Sequence, residues 1–288
     1  MNFLVLGAAG MAGHVVALYL QEKGYRVDTL SARRRLEPET VLLDLTGKEE
    51  FERFLDSRHY DVIINCAGIL IKESETRKDL AAYLNSFLPH MLERRFAGSD
   101  TRIIHLSTDC VFSGDSGPYR EDSGYDGKTF YDRSKALGEL INGKDLTLRM
   151  SIIGPDMKAD GSGLFNWFAH QTGKIPGYLA AVWNGVTTTL LARAIEAAAG
   201  QGLSGLYHLT PAESISKYDL LVLLKEVFRR DDIDVIPNND VVSNKALINL
   251  RQDFDFAIGG YEPMLREMKA WIEDHAGLYP HYSGRQAG

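Results

Sequence analysis

Tyr131 and Lys135 stand four residues apart in Tyr131-Asp132-Arg133-Ser134-Lys135. On a helix that spacing puts a phenol and an ammonium on one face. A free tyrosine titrates near about 10, and a neighbouring cation stabilises its phenolate enough for proton transfer at working pH. Leu106-Ser107-Thr108-Asp109 ends an apolar run with a hydroxyl that can hold a carbonyl or hydroxyl oxygen. Near the N-terminus, Gly7-Ala8-Ala9-Gly10-Met11-Ala12-Gly13 follows a second apolar run and precedes a helical pattern. A strand turning into a helix there needs bare backbone at Gly7, Gly10 and Gly13. The opening amides at Met11, Ala12 and Gly13 then suit the diphosphate of a dinucleotide. These features together describe a nicotinamide cofactor beside a Thr108/Tyr131/Lys135 proton-transfer site.

The next strand decides between the two nicotinamide dinucleotides. An acid at its end would bind the adenosine ribose and repel a 2′-phosphate. Here the run is Leu30-Ser31-Ala32-Arg33-Arg34-Arg35, with no acid, and guanidinium groups suit phosphate. NADP(H) is therefore the expected cofactor, held by Ser31, Arg33 and Arg34, with NAD(H) as the alternative. Asp44 and Leu45 are placed to meet the adenine. Cys66, Ala67 and Gly68 offer small residues where the cofactor passes close to backbone. Lys135 would also reach the nicotinamide ribose, beside Tyr131.

The chain has 288 residues, a net charge of −7, 44% hydrophobic and 25% charged residues. Such values describe a folded domain and argue against nucleic acid or an anionic membrane as the main partner. Its two cysteines, Cys66 and Cys110, lie in or beside apolar runs and suggest no disulfide framework. The chain enters an apolar run at Asn2 with no signal-like segment before it, which leads us to expect a cytoplasmic protein. Its eight histidines show no metal-ligand spacing, so no metal is assigned.

Periodicity supplies the frame. Strands are expected at 3–7, 26–30, 41–43, 61–64, 102–106, 146–153 and 206–209. Helices are expected at 14–23, 80–95, 131–141, 165–171, 190–199, 216–229 and 264–275. Alternating near-continuous apolar strands with helices means a doubly wound, Rossmann-type parallel sheet in the α/β class. Residues 1–154 with about 184–209 are expected to form the dinucleotide domain. Residues about 155–183 with 210–282 would form a smaller substrate lobe, and 283–288 a flexible tail.

The motifs Gly7–Gly13, Asn65–Gly68, Ser107–Phe112, Pro118–Asp122, Tyr131–Glu139, Leu148-Arg149, Gly205–Leu209 and Ser216–Asp219 resemble those of the extended short-chain dehydrogenase/reductase superfamily, and within it the dTDP-4-dehydrorhamnose reductase branch. That resemblance implies reduction of a 4-keto group on a nucleotide-linked deoxysugar, for surface polysaccharide biosynthesis, with Thr108, Tyr131 and Lys135 as the catalytic set. Asp109, Cys110, Trp183 and Asn184 would adjoin the substrate. Three departures bear on sugar identity. Cys110 replaces a tyrosine, Asp132 a glycine, and Arg149-Met150-Ser151-Ile152 lacks the branch's tryptophan. The resemblance also admits a non-catalytic NADP-binding regulatory subunit, like that of methionine adenosyltransferase, and an epimerase-reductase using Cys110. A homodimer through 80–95 and 131–141 is left open.

Overall fold

The computed structural model describes residues 1–282; the expected tail at 283–288 lies outside them. The first half runs β1 (Asn2–Leu6), α1 (Met11–Glu22), β2 (Arg26–Ser31), β3 (Val41–Leu42), α2 (Lys48–Asp56), β4 (Val62–Asn65), α3 (Ile71–Thr76), α4 (Lys78–Ala81), α5 (Leu88–Phe96), β5 (Arg102–Thr108), α6 (Phe130–Ala136), β6 (Leu146–Met150) and β7 (Ile152–Ile153). The second half runs α7 (Leu164–Ala169), β8 (Gly173–Tyr178), β9 (Ala181–Trp183), β10 (Val186–Thr187), α8 (Thr188–Gln201), β11 (Gly205–His208), β12 (Ile215–Ser216), α9 (Lys217–Phe228), β13 (Ile233–Asn238), β14 (Ser243–Asn244) and α10 (Tyr261–Asp274).

Seven strands form one parallel sheet in the order β11-β6-β5-β4-β1-β2-β3. Side chains alternate across it. Phe3, Val5, Ile64, Ile104 and Leu148 face one core with α1 and α8. Leu4, Leu6, Ile63 and Ile103 face the other with Phe51, Leu55, Leu88 and Leu92. Both faces are dry, so the strands read as unbroken apolar runs. The chain order reverses between β1 and β4, and the crevice beyond the carboxyl ends of these strands is where such sheets take ligands.

Several elements differ from the sequence expectation. The helix α2 was not expected; it buries only Phe51 and Leu55, one turn apart, with Phe54 partly buried beside them on a charged segment. The helix expected at 80–95 spans α4 to α5 through a π-helical turn at Ala82–Phe87. That turn buries Asn85, whose amide joins Ile69 and Ser134. The helix expected at 131–141 stops at Ala136; just past it, Gly138 packs so tightly that a Cβ there would lie 1.9 Å from the Asn85 carbonyl oxygen. The strand expected at 146–153 breaks at Ser151, and β7 pairs with β10 outside the main sheet. Beyond it, β8 pairs with β13, and β9 with β12 and β14. These short strands alternate weakly, and long-range pairing holds them.

No helix among the described residues is long and apolar enough to cross a membrane. No cluster of three or more histidine, cysteine or acidic residues there could hold a metal ion.

Candidate active site

The glycine loop is built by close approach. Gly7 has φ +74°, and a Cβ on it would sit 2.9 Å from Ala67 backbone. A Cβ on Gly13 would sit 2.2 Å from the Gly7 carbonyl oxygen, so α1 can lie against the loop only with glycine there. Gly10 is the N-cap of α1, with no side-chain cap and no acid in the first turn. The opening amides and positive dipole end of α1 therefore face the crevice uncompensated by protein. Residues the sequence reading did not connect also hold this loop. Trp271 Nε1 donates to the Tyr279 hydroxyl at 3.1 Å, which pairs with His14 Nε2 at 2.7 Å, while His14 Nδ1 meets the Gly10 carbonyl at 2.8 Å. Burial lowers the His14 pKa to about 4, so this ring is neutral and can accept from Tyr279 while donating to Gly10.

A cleft of about 700 Å³ opens from this loop. It takes in Gly7, Gly10, Ser31, Arg33 and Arg34, then Asp44, Leu45, Cys66, Ala67 and Gly68. Its size and bare-backbone floor fit an adenine dinucleotide. Arg33 makes no hydrogen bond or ion pair among the described residues. Arg34 donates to the Met157 carbonyl at 3.1 Å and to that extent is engaged by protein. The Ser31 hydroxyl donates to the Arg34 carbonyl. The Asp44 carboxylate accepts from Thr46 amide and hydroxyl. Arg77 and Lys158 also line the cleft. They were missed because each comes from a loop or short helix far from strand two in sequence.

Thr108, Tyr131 and Lys135 come together where β5 ends and α6 begins. Thr129 caps α6, and Asp132 answers in a capping box; this explains the acid after Tyr131, since its carboxylate accepts the Lys128 and Thr129 amides. Burial pushes the Tyr131 phenol above its ordinary pKa; nearby Cys110 and Asp109 add to this, and the Thr108 hydroxyl opposes it. Lys135 donates to the Leu106 carbonyl at 2.7 Å and meets His105 Nε2 at 3.3 Å. Burial lowers its pKa to about 8, opposed by Glu139 and Cys66. The lowering of the phenol expected from this ammonium does not prevail, because burial of the phenol dominates its shift. Thr108 Oγ1 donates to Asp109 at 3.1 Å and accepts the Cys110 amide at 3.1 Å.

Behind these groups lies an ion pair of Arg149 and Glu139, both side chains fully buried, at 2.5 Å. Glu139 also accepts from the Ser107 and Tyr125 hydroxyls. Arg149 Nη1 meets His208 Nε2 at 2.8 Å, and burial lowers His208 to about 3. The neutral His208 ring can then accept from Arg149 and donate through Nδ1 to the Ile248 carbonyl.

On the substrate side, burial raises the pKa of Asp109 and that of Cys110, the latter to about 12. A thiol so placed stays protonated at neutral pH. Cys66, in the cleft, is likewise raised to about 12. Trp183 is buried and donates to Ser151 Oγ at 2.7 Å. The structure spends both ends of the Asn184 amide on the Leu247 backbone, at 2.7 and 2.9 Å, so this residue holds a neighbouring segment rather than presenting free polar atoms. Lys217 lies over Trp183, a contact between segments distant in sequence.

A doubly wound parallel sheet, a glycine loop at its first turn and a Thr/Tyr/Lys constellation at the end of β5 define the extended short-chain dehydrogenase/reductase class. Residues 1–153 match the family model described as RmlD substrate binding domain, and the chain belongs to that family. It is 28% identical over 256 residues to the probable dTDP-4,6-dihydroxy-2-methyloxan-3-one 4-ketoreductase of Streptomyces antibioticus, covering 81% of this chain and 78% of that one. It is 25% identical over 255 residues to methionine adenosyltransferase 2 subunit beta of Xenopus tropicalis, covering 82% and 75%. The crystal structure of dTDP-4-dehydrorhamnose reductase from Bacillus anthracis in complex with NADP superposes with a TM-score of 0.79 at 19% identity, covering 94% of this chain and 100% of that one.

Proposed function

We propose that this protein is an NADP(H)-dependent reductase of a 4-keto sugar carried on a nucleotide. The observation that carries the reading is the meeting of Thr108, Tyr131 and Lys135 at the end of β5, beside the glycine cleft. Two relatives support the chemistry by their names, the Streptomyces ketoreductase and the Bacillus reductase. When bound, the reduced nicotinamide supplies a hydride to the carbonyl carbon. Thr108 and Tyr131 hydroxyls receive the charge that builds on the oxygen. Tyr131, kept protonated by burial, donates the proton that completes the alcohol. Lys135 is an ammonium at neutral pH, fixed by the Leu106 carbonyl, and would hold the nicotinamide ribose when the cofactor binds. Arg33, uncommitted to protein, supports NADP(H) over NAD(H).

The test is NADPH consumption against a panel of 4-keto-6-deoxy sugar nucleotides made in situ by a dehydratase. Tyr131→Phe should lower turnover by roughly 10²–10⁴, the span of a lost general acid, with NADPH affinity little changed. The similarity to methionine adenosyltransferase subunit beta sustains a second reading. If no panel member is reduced while NADPH binds and a stable protein partner co-purifies, a regulatory subunit replaces the reductase.

A further inference from the structure

Two walls of the cofactor cleft come from distant parts of the chain, and one segment after α10 braces both. The first wall is the loop at Gly10, which leads into α1. The second is the stretch between β7 and α7. It brings Lys158 to the cleft, and its Met157 carbonyl takes a hydrogen bond from Arg34 on the same cleft. The bracing segment is Tyr279–Tyr282, which follows the turn at Ala276–Leu278. Both of its tyrosines are buried.

Tyr279 acts on the first wall. Its hydroxyl accepts the Trp271 indole N–H at 3.1 Å and donates to His14 Nε2 at 2.7 Å. His14 is fully buried, and its other ring nitrogen donates to the Gly10 carbonyl at 2.8 Å. That carbonyl also accepts the His14 amide at 3.1 Å. It shares a peptide plane with the Met11 N–H, the first amide of α1. Holding the carbonyl therefore aims that amide at the cleft.

Tyr282 acts on the second wall. Its hydroxyl accepts the Asp156 amide at 3.0 Å and donates to Asn166 Oδ1 at 2.7 Å. The Asn166 side chain donates in turn to the Ala159 and Gly161 carbonyls, at 3.2 and 2.6 Å. The Asp156 carboxylate accepts the Lys158 amide at 2.9 Å. Met157 and Lys158 thus sit on a stretch tied to Tyr282 from both sides. Removing either hydroxyl leaves buried partners unmatched. A wall so released leaves its binding geometry part of the time, and apparent affinity falls with the fraction that remains competent.

We infer that Tyr279 and Tyr282 are positioning residues of the cofactor cleft, Tyr279 for the diphosphate and Tyr282 for the 2′-phosphate that distinguishes NADP(H). This assignment rests on the NADP(H) reading above, and the two can fail separately.

Fluorescence titration of the full chain with NADPH and with NADH, well below the unfolding temperature, tests it. Both dinucleotides carry the diphosphate, and only NADPH carries the 2′-phosphate. Tyr279→Phe should weaken both about fivefold, the scale of one lost hydrogen bond. Tyr282→Phe should weaken NADPH by about the same factor and leave NADH nearly unchanged. His14→Leu should repeat the Tyr279→Phe pattern, and His14→Asn, which keeps a donor for the Gly10 carbonyl, should recover part of the loss. Tyr60→Phe is the control for a merely structural role. It removes a hydroxyl bond to Asp28 of 2.8 Å outside the cleft, and should lower the unfolding temperature without moving either affinity. Wild-type affinities in both Tyr279→Phe and Tyr282→Phe overturn the inference and leave the NADP(H) reading standing. Equal losses of NADPH and NADH in Tyr282→Phe, or matching losses in Tyr60→Phe, overturn it as well. A wild type that binds no NADPH overturns the NADP(H) reading, and the inference with it.

Discussion

Alanine at Gly10 and at Gly13 should harm this protein in two different ways. At Gly13 the new methyl would lie 2.2 Å from the Gly7 carbonyl oxygen and 2.9 Å from its carbon. Both partners are backbone, so no side chain can turn aside. Helix α1 must lift from the sheet by about 1 Å to reach normal contact, and forced overpacking costs about 1–3 kcal/mol. Alanine's better helix propensity returns about 1 kcal/mol, leaving a net loss of up to about 2 kcal/mol. For a chain of this size each kcal/mol is worth about 2–4 °C in midpoint. A displacement of about 1 Å in the loop should also weaken NADPH by roughly 10²-fold, the scale seen for misplaced binding groups. At Gly10 the only neighbour within 4 Å is the Gly7 oxygen at 3.2 Å, and the residue lines the cleft. Gly10→Ala should therefore cost about 1 kcal/mol or less in stability, the scale of a changed N-cap, while its methyl intrudes on the diphosphate path. Thermal unfolding and fluorescence titration with NADPH, run on both variants, separate the two effects. A Gly10→Ala protein that binds NADPH like wild type, or a Gly13→Ala protein of undiminished stability, would refute the reasoning.

Other expectations follow from single contacts. Arg33→Ala should weaken NADPH by about tenfold and leave NADH nearly unchanged, the scale of one charge-assisted phosphate contact; equal losses for both cofactors would remove Arg33 from the 2′-phosphate. Glu139→Gln leaves the buried Arg149 cation without its carboxylate and should cost about 3–5 kcal/mol in denaturant unfolding. The pKa of Lys135 falls from 10.5 unfolded to about 8 folded, so the unfolded chain binds the extra proton between those values. Stability should consequently rise as pH climbs from about 8 towards 10.5, with Lys217 adding in the same direction. Turnover should decline over that range as the Lys135 ammonium is lost, and a flat kcat/KM profile from pH 7 to 10 would contradict its role.

What could be read from the sequence was whatever depends on neighbours in the chain. Phe3 to Leu6 and Val62 to Ile64 are apolar without interruption because both sheet faces are covered. The glycine spacing and the Tyr131–Lys135 interval are set within one turn or one helix. The helix α2 escaped notice because it is short and charged, with only Phe51, Phe54 and Leu55 to mark its apolar side. The close approach of Gly138 to Asn85, just past the early end of α6, could not be foreseen either, since Asn85 comes from a different helix. Burial was equally invisible, and it moves Tyr131 and Lys135 away from the values that spacing alone suggests. Arg34 looked free in sequence, yet donates to Met157 across the fold.

The last strand of the main sheet comes from far down the chain. Gly205–His208 pairs with Leu146–Arg149 and covers the outer edge of β6, and His208 supplies a partner of the buried Arg149. A fragment ending near residue 153 would present that edge as a row of unpaired amides and carbonyls, with one guanidinium contact missing beneath it. Open edges of this kind recruit other chains. The stretch that carries the family match is therefore not a unit that can be excised or grafted. Shortened or shuffled versions of this protein must retain the return strand if they are to stay monodisperse.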